Sequence, residues 1–265
     1  MKENSNKEHI IFCRCKGERI DPSLLGSVKD YLMDSGADVT ILNDLCGIAA
    51  KKSDVLRDLY NSGTEYLIIG CYKRTMDLLI EQAGINNYNS DHRHINLLEE
   101  TDQAKIREEL NEFAGGLPGK TVFTEIAEDS GWPSWFPVID YARCTACGQC
   151  ADFCLFGVYE KSWAKVQVVN PQSCKNNCPA CARICPHTAL IFPKYKHGGA
   201  IGGSEEINEV EEQNRQTQDI SDLLGGDIYV ALERRKLKRR SIIMEEAMRK
   251  AMEEKEKAVS GITGS

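Results

Sequence analysis

The sequence predicts an α/β fold: an open parallel sheet, then a small cysteine-rich α+β module and a charged C-terminal helix. Three observations carry that expectation. Strand-like and helix-like segments alternate through residues 1–119, eight of the twelve cysteines crowd between 144 and 185, and apolar residues thin out beyond 193. Alternation of the first kind implies parallel strands with helices covering their faces.

The first strand is "HIIFCRC", a short apolar run suited to burial on both faces. "DPSLLGSVKDYLMDSG" follows as a helix, with a proline after its acidic start, apolar residues at helical spacing and a closing glycine. "ADVTILNDLC" predicts a second strand, "KKSDVLRDLYNSG" a second helix, "TEYLIIGCY" a third strand and "KRTMDLLIEQAG" a third helix. "HINLLEETDQAKIREELNEFAGG" supplies a fourth strand and helix, completing a Rossmann-like domain over 1–119. Residues 120–137 read as a connector and 138–193 as the cysteine-rich module. Residues 194–222, including "HGGAIGGSEEINEVEEQNRQTQ", read as a flexible linker because apolar residues are lost there. Residues 223–265 have the composition of a long charged helix.

A chain of 265 residues with 42% hydrophobic and 28% charged content is ordinary for a globular protein and can bury a sizeable core. No apolar run approaches the length of a membrane span. The polar start "MKENSNKEHI" does not resemble a signal peptide, so a cytoplasmic location is expected. A net charge of −7 argues against general nucleic-acid binding, which needs lysine and arginine to neutralise phosphates. In a reducing compartment structural disulfides are disfavoured, so twelve cysteines point to metal or redox chemistry.

"CTACGQCADFC" sets Cys144, Cys147, Cys150 and Cys154 in a C-x2-C-x2-C-x3-C run. "CKNNCPACARICP" sets Cys174, Cys178, Cys181 and Cys185 in C-x3-C-x2-C-x3-C, followed by Pro186. Thiolates are the natural ligands of cluster iron, and such compact spacing wraps a loop around three corners of a cubane. A zinc ribbon instead shows separated C-x2-C pairs, each gripping one small ion. About 50 residues can hardly bury enough apolar surface to fold alone, so inorganic cores would supply much of the module's stability.

These runs resemble the bacterial-type ferredoxins that carry two [4Fe–4S] clusters. In that family the fourth cysteine of each run ligates the other run's cluster. The resemblance therefore implies that Cys144, Cys147, Cys150 and Cys185 hold one cluster, and that Cys174, Cys178, Cys181 and Cys154 hold the second. Leu155 departs from the proline that commonly follows the fourth cysteine, and the second run has one extra residue between its first two cysteines. His187, just beyond Pro186, reads as a surface residue, with a hydrogen bond toward a cluster as the alternative.

The first three strands end in "CRC", "LC" and "GCY". In an open parallel sheet ligands gather outside the carboxyl ends of the strands, at the topological switch point, so Cys13, Cys15, Cys46 and Cys71 are expected around one crevice. Strand rise separates Cys13 from Cys15 by about 6 to 7 Å, wide for one tetrahedral zinc and better suited to a polynuclear core. Buried packing cysteines, a redox-active dithiol, zinc and a third cluster all remain open readings of these four residues.

The paired cysteines, the lone cysteine after the second strand and "GCYKRT" after the third resemble the amino-terminal domain of the A subunit of heterodisulfide reductase and its bacterial relatives. That resemblance implies a third [4Fe–4S] cluster near these cysteines. Arg74 and Thr75 fall at the family's Arg-Thr positions, which puts Arg74 beside the cofactor or, alternatively, at the cap of the next helix. Those relatives continue into a flavin domain opened by Gly-x-Gly-x-x-Gly. "HGGAIGGS" lacks both that spacing and the flanking strand and helix, so no tightly bound flavin or nicotinamide is expected.

In the tail, "RRKLKRR" reads as a solvated helix face and the stripe Met244, Met248, Met252 as a packing or partner-docking surface. "GGLPGKT" lacks the first glycine of a phosphate loop and a preceding buried strand. Together the features predict an iron–sulfur protein that relays electrons to a partner flavoprotein or other oxidoreductase subunit, without nucleic-acid binding or membrane insertion. The alternatives are a redox- or metal-sensing regulatory protein and an enzyme acting on a small thiol or disulfide.

Overall fold

The computed structural model describes residues 7–51, 54–59, 64–85, 91–114, 121–127 and 131–215. The expected C-terminal helix, its methionine stripe, "RRKLKRR" and most of "GGLPGKT" lie outside the described residues. The chain divides after Glu212 into two compact units, and everything below concerns the first.

Strand β1 (Lys7–Cys13) leads into α1 (Pro22–Met33), which starts where sequence chemistry says it should. The Asp21 side chain accepts from the Ser23 N–H at 2.7 Å, and Pro22 occupies the first turn, where its missing N–H costs nothing. Then follow β2 (Asp38–Leu42), α2 (Leu45–Ala50), α3 (Asp54–Leu59), β3 (Thr64–Gly70), α4 (Lys73–Gln82), β4 (Arg93–Asn96), α5 (Gln103–Ala114) and β5 (Val122–Ile126). All five strands run parallel in the order β4-β3-β1-β2-β5. Helices on both sides leave the central strands no solvated face. Ile10, Ile11 and Phe12 are consecutive and fully buried, as are Ile68 and Ile69 opposite them.

Two elements differ from the sequence expectation. β5 lies within the stretch read as a connector and adds a fifth strand beside β2. It is an edge strand, largely exposed, and carries Glu125, which pairs with Arg14 and Lys29. Such charge is normal protection for an edge and hides the strand from a search for buried runs. Cys46, expected at the end of the second strand, instead sits in the first turn of the short helix α2.

The cysteine-rich part repeats one plan twice: β6 (Val138–Ile139), a cysteine loop, α6 (Gln149–Phe153) and β7 (Tyr159–Lys161), then β8 (Val166–Val168), a second loop, α7 (Ala180–Arg183) and β9 (Leu190–Ile191). β6 pairs with β9 and β7 with β8, both antiparallel. Trp135 stacks on Phe192 at 5.1 Å in the small core between them. Val138 and Ile191 turn the other way and join the core of the sheet, so the two cores share one pair of strands.

The chain after β9 is no loose tether where it is described. A short 3-10 helix (Ala200–Gly202) packs back on the sheet's end, with Ala200, Ile201 and Gly202 buried. Gly203 has φ +91, and a Cβ there would stand 1.8 Å from Thr75 Oγ1. Glycine is required at that position for contact, not for looseness.

Candidate metal centres

β2 and β3 leave opposite sides of β1, so the switch point of the sheet lies at the carboxyl ends of β1 and β3. Cys13 is the last residue of β1 and Cys71 follows β3 directly. Gly70 makes that approach feasible: a Cβ on it would stand 3.3 Å from Cys13 Cβ and 3.1 Å from Met76 Cε. Cys15 lies two residues past β1, where its Sγ accepts from the Gly17 N–H at 3.2 Å. Cys46 enters from α2. Each of Cys13, Cys46 and Cys71 is buried, and Cys15 is half-buried.

The four thiols lie within electrostatic reach of one another. Burial pushes the Cys13 and Cys46 thiols far up and Cys71 up to about 12, and the charges of sister cysteines push further: Cys15 and Cys71 on Cys13, Cys15 and Cys71 on Cys46, Cys15 on Cys71. Reactive dithiols need the opposite shift, toward thiolate, so this is poor ground for free thiol–disulfide chemistry. Asp44 adds a negative charge that acts on Cys13, Cys15 and Cys46. Its Oδ2 accepts from Ser134 Oγ at 2.7 Å and from Lys194 Nζ at 2.8 Å, while its buried Oδ1 has no hydrogen-bond partner. Arg19 balances the opposite flank, lowering Cys15 and Cys71, with its guanidinium 4.9 Å over the Tyr72 ring.

The eight cysteines of the second part fall into two groups that do not follow the runs. Burial raises Cys150 to about 11, and Cys185, Cys144 and Cys147 add to the rise. Burial raises Cys185 most, backbone hydrogen bonds from Ala189 and His187 oppose it, and Cys147 and Cys144 add to the rise. These four line one cavity with Ile139, Val166 and Leu190. Cys174 is raised to about 12 by burial, then by Cys178 and Cys154. Cys181 reaches about 12 by burial, with Cys174, Cys150 and Cys154 contributing. Thus Cys185 stands with the first run and Cys154 with the second.

Both loops turn on a left-handed residue immediately before their second cysteine: Ala146 at φ 57 and Asn177 at φ 58. The extra residue of the second run is therefore absorbed upstream of a turn the two loops share. Gly148, at φ 80, lets the first loop pass under Lys161, where a Cβ would lie 2.2 Å from the lysine stem. Donors reach the sulfurs as well. Tyr159 Oη–H donates to Cys181 Sγ at 3.0 Å, and the Ala189 N–H to Cys185 Sγ at 3.4 Å. Sequence reasoning missed Tyr159 because nothing in a lone strand tyrosine marks a sulfur 22 residues away. His187 is exposed, and its ring makes no described contact with a sulfur; its carbonyl accepts from Arg143 Nε.

Arg74 lies in the first turn of α4, and its guanidinium reaches the cysteine-rich part. Its Nε and one Nη donate to Asp140 Oδ2 at 3.1 and 2.9 Å, and the remaining N–H groups reach the carbonyls of Thr188, Ala200 and Ser204. The guanidinium is thus committed to joining the sheet to the cysteine-rich part. Asp140 in turn precedes the first loop, its carbonyl accepting from the Cys144 N–H at 2.9 Å. Thr75 serves the same junction through Gly202 and Gly203.

A single tetrahedral ion with bonds of about 2.3 Å needs its sulfurs about 3.8 Å apart. Among the described residues no group of three or more histidine, cysteine or acidic side chains is arranged to hold a metal ion. Residues 137–157, spanning the first cysteine run, match the family model described as a 4Fe-4S binding domain. The chain carries a 4Fe-4S binding domain. It is also 48% identical over 64 residues to an uncharacterized ferredoxin of Methanocaldococcus jannaschii, which covers 24% of this chain and 44% of that relative. The chain thus spans less than half the length of the curated relative it matches. No solved structure matches the chain. Among the described residues, no helix is long and apolar enough to cross a membrane.

Proposed function

We propose that this chain is an electron-transfer subunit that holds three [4Fe–4S] clusters and serves a partner flavoprotein or other oxidoreductase, in the manner of heterodisulfide reductase. Cys144, Cys147, Cys150 and Cys185 would hold the first, Cys174, Cys178, Cys181 and Cys154 the second, and Cys13, Cys15, Cys46 and Cys71 the third. The observation that carries the proposal is the cavity that Cys185 of the second run lines together with Cys144, Cys147 and Cys150 of the first. Crossed ligation of this kind is the mark of two-cluster ferredoxins. A bound cluster supplies one-electron storage; the chain's residues supply burial, sulfur hydrogen bonds and fixed charges that set the potential.

The donor sets suit that role. On this reading the twelve thiols divide into three sets of four, and burial raises most of them, so a metal that replaces their protons would bind with proton release. Cys174 packs against both hydrophobic cores, which supports a short path between the second site and the sheet's own site.

Anaerobic purification with an iron and sulfide count tests the reading. About twelve irons per chain, three cubanes of four, supports it. A count near eight removes the amino-terminal centre. For the crossed pairing, Cys154→Ser should alter the electron paramagnetic resonance of the Cys174 site and Cys185→Ser that of the Cys144 site. The reverse result would mean that each run closes on its own cluster.

A further inference from the structure

Lys194 belongs to the chain just after β9, yet its ammonium ends at the sheet's cysteine site. Nζ donates to Asp44 Oδ2 at 2.8 Å and to the Pro133 carbonyl at 3.0 Å, and the side chains of the pair are 10% and 3% exposed. Ser134 Oγ holds the same carboxylate oxygen from the other side at 2.7 Å. The lysine stem lines the sulfur site itself. A Cβ on Gly17 would stand 3.0 Å from Cys15 Sγ and 3.8 Å from Lys194 Cγ, so thiol and stem flank one glycine.

We propose that Lys194 is a positioning residue of the Cys13–Cys15–Cys46–Cys71 site, whose fixed positive charge, opposed by Asp44, sets the reduction potential of the centre held there. The proposal rests on the cluster reading above. Its physics is Coulomb's law in a medium poorer in water than bulk. A buried cation beside a site that gains an electron favours the reduced form, and a buried carboxylate disfavours it. The pair is held by three contacts from three chain segments, so neither charge can swing into solvent to escape that influence. A simple brace between the two parts of the molecule would also bury Lys194 against Asp44, but it would give the two residues the same effect when removed. A potential-setting pair gives them opposite effects.

The test uses the full chain, loaded with iron anaerobically and titrated potentiometrically with resonance detection. The signal to follow is the one lost in Cys71→Ser. Lys194→Met should keep the full iron count and shift the reduction equilibrium of that signal about tenfold toward the oxidised form, about 59 mV lower for one electron. Asp44→Asn should shift it upward, and Lys194→Arg, which keeps the charge, should leave it near the wild-type value. The potentials of the other two centres should move far less. Unchanged potentials at full iron content in both Lys194→Met and Asp44→Asn would overturn the proposal, as would shifts of the same sign. If Lys194→Met fails to load, the upward shift in Asp44→Asn and the unmoved potential of Lys194→Arg decide between the same outcomes. A wild-type count near eight, with no signal lost in Cys71→Ser, instead sinks the amino-terminal cluster and this proposal with it.

Discussion

At the scale of single residues, the contacts that matter most are those that end on sulfur or on a backbone with no room. Tyr159 donates its hydroxyl to Cys181. A donor to a ligating sulfur stabilises the more electron-rich state, so Tyr159→Phe should lower the potential of the Cys174 site without loss of iron. If the bond gains about 1 kcal/mol on reduction, the fall is on the order of 40 mV, measurable by potentiometric titration. Gly203 makes a second case: it has φ +91, and an added Cβ would collide with the buried Thr75 side chain. Gly203→Ala should therefore destabilise the protein by about 1–3 kcal/mol, read from denaturant midpoints.

At the scale of elements, the alternating sheet was legible because its central strands are buried on both faces and advertise themselves as apolar runs. Ile10, Ile11 and Phe12 are the clearest example. β5 was not legible, since an edge strand bearing Thr124 and Glu125 has the composition of a connector. The glycines after residue 197 misled in the other direction: composition suggests a tether, whereas their lack of side chains admits the guanidinium of Arg19 and the hydroxyl of Thr75. The cysteines of the two runs were legible from spacing alone. The contact between Arg74 and Asp140 was not legible, because the two lie 66 positions apart. That pair is largely buried, with side chains 13% and 11% exposed. Arg74→Met leaves the carboxylate buried without its cation, a change that typically costs about 3–5 kcal/mol. Denaturation of the loaded protein checks this, and a loss below about 1 kcal/mol would reduce the pair to a surface contact.

At the largest scale, the two hydrophobic cores among the described residues are unequal. The sheet's core draws on five strands and the helices around them, while the cysteine-rich part has a small core centred on Trp135 and Phe192. Metal removal should therefore act unevenly. Chelation under reducing conditions should open residues 144–185 to limited proteolysis first, while fragments containing β3 and α4 persist. Mass spectrometry of the cleavage products would show the order. Simultaneous loss of both parts would mean that the sheet, too, depends on its metal.

Among the described residues two buried ion pairs cross the junction, and they are reciprocal. Arg74 from the sheet meets Asp140 of the cysteine-rich part, and Lys194 beyond that part meets Asp44 of the sheet. Each partner lends one cation and one anion, so separating them would strand a buried acid and a buried base on both sides. A chimera that grafts a foreign ferredoxin here would need to bring an aspartate at position 140 and keep the lysine that follows the graft, or inherit two orphaned charges.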